Sequence, residues 1–462
     1  VPNFVAAALL QYYIGLKWGV LPVGFWTGWN CSVLPSIALS FSATAMVARF
    51  MRTEMLDVLD QDYIVTARAK GLSQMKVLMR HAVRNSILPV VTILGPIVVN
   101  LMTGSLAVEN IFSIPGIGSL FVDCIKANDY PVIMGITIFY AAFYMLIVLL
   151  VDLAYSLIDP RIRLAKWKGE LIVDKSKIDR SMYQKAKVEA SEKEHIAAPA
   201  STMLADAWIR LKKIKAAVVA LFILIGIILL AIFAPIFSKY SFRDTDYNNV
   251  YGLPSAAHIF GADQFGRDLW VRTWMGTRIS LMIALVAAIL DLVVGVLYGA
   301  VSALFGGKVD AVMQRIIEVL VGIPSLIIVI LFLMAFPAGV GTIIAALSIT
   351  GWVNMARLVR AEILKLKNQE FVLASQVLGT SKFNIIMKDL IPNTVSVIVI
   401  NVMFTIPSAI FTEAFLSFIG IGLAEPQASL GVLINGGYQV LRMYPHVLIF
   451  PAIVIVLIMV CF

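Results

Sequence analysis

Ala48-Arg49-Phe50-Met51-Arg52-Thr53-Glu54-Met55-Leu56 aligns without a gap on Ala356-Arg357-Leu358-Val359-Arg360-Ala361-Glu362-Ile363-Leu364. The same offset of 308 residues carries Tyr63 onto Phe371, Gly71 onto Gly379, Arg80 onto Lys388 and Asn85 onto Asn393. After a four-residue shift, Glu109, Ser113, Gly116, Ile117 and Gly118 fall on Glu413, Ser417, Gly420, Ile421 and Gly422. Each block is polar and basic and lies between strongly apolar runs. The chain therefore reads as two membrane halves that present the same kind of loop to the same side. That organisation fits a pseudo-dimeric transporter core whose loops offer a partner a place to bind.

The composition bounds the class. Of 462 residues, 60% are hydrophobic and only 14% charged, with a mean hydropathy of +0.90. A soluble chain this apolar could not cover its own surface, so a polytopic helical membrane protein is expected. The net charge of +9 does not point to nucleic acid, because the basic residues are confined to loops between apolar runs. Cys31, Cys124 and Cys461 lie far apart, without metal or redox spacing and without a disulfide framework. His81, His195, His258 and His446 are scattered, so no metal site is expected. The sequence opens and closes inside apolar runs, and both ends read as cut.

Spanning takes about 20 apolar residues per helix. Candidate spans run over 4–16, 33–47, 87–108, 132–157, 216–237, 279–304, 312–336, 340–355, 395–415 and 447–462, about ten transmembrane helices, the first and last cut short. Barrel strands would alternate every second residue, so an all-α fold is expected. Of the 37 Lys and Arg residues, 29 lie in segments 49–84, 161–215, 308–315 and 357–388. The excess places that side, with both repeated loops, in the cytoplasm. Residues 165–207 are polar, then small and flexible, and read as a cytoplasmic linker. They separate a first domain (1–164) from a second (208–462). The run Trp208-Ile209-Arg210-Leu211-Lys212-Lys213 reads as a segment that lies against lipid headgroups; simple positive-inside anchoring explains it as well.

At this point the residues resemble a known family. Tyr63-Ile64-Val65-Thr66-Ala67-Arg68-Ala69-Lys70-Gly71, followed by Arg80-His81-Ala82-Val83-Arg84-Asn85, is similar to the cytoplasmic loop of one permease subunit of the dipeptide/oligopeptide ABC importers. Glu370-Phe371-Val372-Leu373-Ala374-Ser375-Gln376-Val377-Leu378-Gly379, followed by Leu390-Ile391-Pro392-Asn393, resembles the loop of its sister subunit. Gly261-Ala262-Asp263-Gln264-Phe265-Gly266-Arg267-Asp268 is similar to that sister's outer loop. Asn110-Ile111-Phe112-Ser113-Ile114-Pro115-Gly116-Ile117-Gly118 matches the stretch after the first subunit's fifth helix.

The resemblance implies a pair of type-I ABC importer transmembrane domains in one chain, the first lacking its N-terminal part and the second its C-terminal end. It implies a peptide permease in the cell membrane, surrounded by lipid. The implied partners are two cytoplasmic ATP-binding-cassette ATPases, which bind ATP and Mg, and an extracytoplasmic substrate-binding protein. The implied docking residues are Ala67, Arg68, Ala69, Lys70, Gly71, His81 and Asn85 in the first loop, and Ala374, Ser375, Gly379, Pro392 and Asn393 in the second. Val65 and Leu373 stand where the general importer loop carries an acid, which leaves open what anchors a docked loop. The plainer reading of Gly71 and Gly379 is an ordinary helix end.

Gly306-Gly307-Lys308 lacks the upstream Gly and the following Ser or Thr of a phosphate-binding loop and reads as a turn between spans. No Ser/His/Asp or Cys/His arrangement points to an enzyme. Asp291 falls near mid-span, where an acid costs about 2.5–3.5 kcal/mol on insertion scales. It reads either as part of the translocation path or, more plainly, as an inter-helix hydrogen-bonding group or a protonated acid. Glu109 and Glu413 read as setters of loop geometry. Asp263, Arg267 and Asp268 read as surface salt bridges or as contacts for a binding protein. The rival readings are an ion-coupled secondary transporter, whose repeats are often inverted, the same ABC machinery carrying nickel or another small solute, and a passive channel.

Overall fold

The computed structural model describes residues 2–158, 208–209 and 211–462. The expected linker at 165–207 lies outside the described residues. Among those described, the regular structure is helical, and a single isolated bridge joins Ala262 to Asp268. The first half contains α1 (Asn3–Leu10), α2 (Val33–Leu59), α3 (Asp62–Ala69), α4 (Val83–Phe112), α5 (Ile117–Lys126) and α6 (Tyr130–Ile158). The second half contains α7 (Lys215–Phe237), α8 (Leu269–Phe305), α9 (Gly307–Val321), α10 (Ser325–Ala335), α11 (Val340–Thr350) and α12 (Trp352–Leu366). It continues with α13 (Glu370–Val377), α14 (Ile391–Phe418), α15 (Leu430–Gln439) and α16 (His446–Cys461).

Six of the described helical segments are long and apolar enough to cross a membrane, or up to eight if each of two bent pairs is one span. The shorter apolar α16 adds to these, so the total lies close to the ten expected. One boundary differs. The run 312–336 is not a straight span: α9 and α10 meet at a 79° bend. Gly322-Ile323-Pro324 occupies the break. Proline has no N–H to give and pushes the residue before it out of the helical region. The chain also folds back between α4 and α5, at 88°, with Ser113 in the left-handed region at φ 51°.

The 37-residue α8 is about 55 Å long at 1.5 Å per residue. It begins at Asp268, whose side chain accepts the Val271 N–H. It packs along α12 and α14. Gly295 and Gly299 let α12 approach, because a Cβ at these positions would collide with Met355 and with the Ala356 carbonyl. By contrast, α7 is apolar on every side and largely uncovered within the chain, the pattern of a helix that meets lipid.

The halves join at the end remote from the repeated loops. Phe4 stacks on Phe418 at 5.0 Å and meets Phe411 and Phe415. The Tyr438 hydroxyl donates to the Ile111 carbonyl at 2.6 Å. Gln11 donates to the same carbonyl at 2.8 Å.

Candidate docking loops and membrane cavity

The sequence repeat is also a repeat of backbone geometry. Helices α3 and α13 have 8 residues each. Each is preceded by an extended glutamine, Gln61 or Gln369. Each ends at a glycine with positive φ, 74° at Gly71 and 77° at Gly379. The closing hydrogen bonds match pair by pair. Gly71 N–H reaches Arg68 O at 2.9 Å and Leu72 N–H reaches Ala67 O at 3.4 Å. Gly379 N–H reaches Gln376 O at 3.0 Å and Thr380 N–H reaches Ser375 O at 3.0 Å. This is a paired 5→2 and 6→1 closure around a left-handed residue. The plainer reading of the two glycines is therefore their local role, and it does not exclude a partner. Each chain then enters its next long helix through a π-helical turn, Val77–Ala82 and Ile385–Leu390, again 308 residues apart.

Each short helix is pinned from its inward side. Ile64 is fully buried with Ala67, Val77 and Ala82. Its counterpart Val372 is buried with Ile385 and Leu390, which take the places of Val77 and Ala82. The remaining docking candidates face outward. Arg68, Ala69, Lys70, Gly71 and Asn85 are exposed, as are Ala374, Gly379, Pro392 and Asn393; His81 and Ser375 are half-buried. Ala67 is the exception: it is buried and belongs to the pinning cluster. Asn85 donates to the Tyr63 hydroxyl at 2.9 Å and so ties α3 to the following helix. Phe371 has no hydroxyl, and Asn393 instead donates to the Asp389 carbonyl at 2.6 Å.

The sequence reading missed the most conspicuous feature of these loops, a matched set of exposed apolar side chains. Tyr63, Val65, Met75 and Met79 are exposed on the first loop. Phe371, Leu373, Phe383 and Met387 occupy the corresponding positions on the second and are exposed too. Val377 and Leu378 extend the second patch at 87% and 83% exposure. The clue in the sequence was the apolar pairing at offset 308 inside otherwise polar blocks. The same exposed apolar residues recurring on both loops make these loops candidates for interaction.

A cavity of about 280 Å³ lies within the second half, and Asp291 borders it together with Ser325, Thr350, Asn354, Asn401 and Ser408. Asp291 is 5% exposed, and its Oδ1 has no hydrogen-bond partner. The inter-helix hydrogen bond considered for it is therefore not formed among the described residues. Asn354 donates to Asn401 at 3.0 Å across the same space. Ser325, Leu326, Ser408 and Thr412 also line a second cavity of about 490 Å³. That one lies between the halves, with Asn3, Ser42 and Leu101 on its other wall. A third, of about 250 Å³, shares Ser325, Thr350 and Asn354 with the first and reaches Arg357 of the repeated block. Three neighbouring cavities of mixed polar and apolar lining thus lie between the junction of the halves and Arg357.

Elsewhere Glu109 sets loop geometry, as expected, whereas Glu413 ties α14 to α8. Glu109 accepts the Ser119 N–H at 3.0 Å at the start of α5. Glu413 is fully buried and accepts from Ser280 at 2.6 Å and Ser417 at 2.9 Å. Asp263, Arg267 and Asp268 do pair, but not as surface salt bridges: all three are buried. Arg267 bonds Asp263 at 2.7 Å and Glu425 at 2.9 Å, while Asp268 faces His258 at 2.8 Å. The network stitches the loop before α8 to the turn after α14. Packing of that loop against α16, visible in the Phe260–Phe450 stack at 4.2 Å, takes these charges out of solvent.

A helical membrane body built twice over, with matched loop helices at one end and cavities of mixed lining within and between its halves, defines a multi-pass membrane transport component. Residues 1–164 and 292–462 match the family of binding-protein-dependent transport system inner membrane components, and the chain belongs to that family. Residues 202–254 match the N-terminal transmembrane domain of oligopeptide transport permease C. The oligopeptide transport system permease protein OppC of Bacillus subtilis (strain 168) is 46% identical over 275 residues, 60% of this chain and 90% of that protein. The dipeptide transport system permease protein DppC of the same organism is 45% identical over 272 residues, 59% of this chain and 85% of that protein. The dipeptide transport system permease protein DppB, also of that organism, is 49% identical over 168 residues, 36% of this chain. The match spans about half of DppB, 54% of its length.

Proposed function

We propose that this chain is a pair of permease domains of an ATP-binding-cassette importer that moves dipeptides or oligopeptides inward. The first domain, 1–164, is the DppB-like partner. The second, 208–462, is the OppC-like partner, and 165–207 joins them on the cytoplasmic side. Each domain presents one loop, around α3 or α13, to one of two cytoplasmic ATPases. ATP and Mg are held by those ATPases, and this chain passes the solute without catalysing a reaction. An external binding protein delivers the peptide to the side remote from the loops. The cavities bordered by Ser325, Ser408 and Asp291 lie on its route.

One observation carries the reading: the duplicated loop, identical in helix length, glycine closure and exposed apolar positions. Two copies of one surface suit two copies of one kind of partner. Where the general importer loop carries an acid, Val65 and Leu373 stand exposed, and apolar contact replaces that polar anchor. Buried apolar area contributes roughly 25 cal/mol per Å², so a charge at either position both removes contact and adds a desolvation cost. Val65→Asp with Leu373→Asp in the complete complex should insert normally and lose the ATPase on co-purification. Normal ATPase retention by the doubly charged loops would refute the docking surface.

A further inference from the structure

Asp291 is an acid at membrane depth without a counter-charge. It lies near the middle of α8, and among the described residues neither carboxylate oxygen takes part in a hydrogen bond or ion pair. An ionisable group in that setting costs free energy unless something met there offsets it. The fold also makes room for it. Gly351, at the junction of α11 and α12, stands against the carboxylate, and a Cβ there would collide with both oxygens. Gly351 has ordinary helical backbone angles, so what it supplies is space.

The surroundings are uncharged and mix polar side chains with apolar ones such as Leu326, Val329 and Phe404. Ser325, Thr350, Asn354, Asn401 and Ser408 border the same cavity, and among the described residues lining it Asp291 is the charged one. Hydroxyl and amide oxygens around one carboxylate form an acceptor-rich pocket with a single negative charge, which suits a monovalent cation bearing N–H donors. The volume, about 280 Å³, accommodates the end of an extended chain rather than a large ligand. Ser325, Leu326, Ser408 and Thr412 line both this pocket and the cavity between the halves. The two spaces are therefore immediate neighbours.

We propose that Asp291 and its neutral polar neighbours form a transit subsite for the ammonium group at the free amino terminus of a peptide crossing the membrane. The proposal rests on the peptide-permease reading above. In it, the carboxylate exchanges the hydration lost by the ammonium for a charge-assisted hydrogen bond, and the hydroxyls at Ser408 and Thr350 accept the remaining donors. The site passes the amine inward rather than retaining it.

The test uses the complete complex, with its ATPases and binding protein, in proteoliposomes. ATP-dependent uptake of trialanine is compared with that of N-acetyl-trialanine. Any preference of the binding protein cancels when the ratio of the two is compared between wild type and variant. Asp291→Asn should lower trialanine uptake at least tenfold while N-acetyl-trialanine uptake changes little, so the ratio collapses. Asp291→Glu should restore part of it. Co-purification of the ATPase reports assembly. If Asp291→Asn does not assemble, Gly351→Ala, which crowds the carboxylate while leaving its charge, should shift the ratio the same way. An unchanged ratio overturns the subsite. So does an equal fall for both peptides, or a fall that follows replacement of sodium by potassium rather than the peptide's amine. If the wild-type complex moves neither peptide with ATP, the peptide reading itself fails and the subsite with it.

Discussion

Replacing Gly379 by valine separates what the helix end needs from what a partner needs. Gly379 sits at φ 77°, and a Cβ built there meets no atom of the chain within 4 Å. The chain itself therefore feels only backbone strain. For an L-residue in the left-handed region that strain is about 1–2 kcal/mol. At 1.4 kcal/mol per tenfold, the closed helix end becomes about 5–30 times less populated. Asparagine tolerates this conformation, and Gly379→Asn should behave nearly as wild type. The assay is ATPase co-purification alongside substrate-stimulated ATP hydrolysis and uptake, in membranes where insertion is verified. With Gly379→Val, all three should fall together by about the fraction of closed end lost, with insertion intact. Gly71→Val should act similarly but not equally, because Lys70 and Leu378 give the two loops different neighbouring surfaces. Normal ATPase retention and coupled hydrolysis, with uptake alone lost, would refute the docking role and move these glycines to the translocation path.

Three further outcomes follow from the geometry. Ile64→Ala removes the fully buried pin of α3 at a cost of about 2–5 kcal/mol, so hydrogen exchange across the first loop should rise sharply while the spans stay protected. Glu413→Ala leaves the hydroxyls of Ser280 and Ser417 without a buried acceptor, each worth about 1–3 kcal/mol; melting in detergent should drop by several degrees, and Glu413→Gln should recover most of it. Single cysteines at Arg68 and Gln376 should resist an impermeant thiol reagent in intact cells, while one at Leu253, 71% exposed on the loop before α8, should react; reaction at Arg68 from outside would invert the proposed orientation.

Much of the helical architecture was legible because membrane spans advertise themselves. Runs such as 216–237 are uniformly apolar, and the helix observed there is Lys215–Phe237. The repeat located both loops, and positions 71 and 379 received the same backbone geometry. The break at Gly322-Ile323-Pro324 was written in residues that disfavour helix, yet an apolar count over 312–336 is blind to it. What a linear reading could not give was depth and facing. Arg267 and Asp263 look like surface charges until Glu425, far along the chain, closes over them. Ala67 looks like part of an exposed motif until the helix turns it inward beside Ile64. Asp291 stands out in the sequence by its position in an apolar run, but its cavity is assembled from α8, α10, α11, α12 and α14, and no local pattern reports that.

In the proposed function, two equivalent loops couple this membrane body to ATP hydrolysis. This coupling is tested most directly by measuring peptide uptake in vesicles of the complete complex with ionophores present to collapse all ion gradients. Uptake should continue when ATP and the binding protein are supplied, and should stop when Val65→Asp and Leu373→Asp are introduced together. Uptake that persists without ATP and follows an imposed ion gradient would contradict the account.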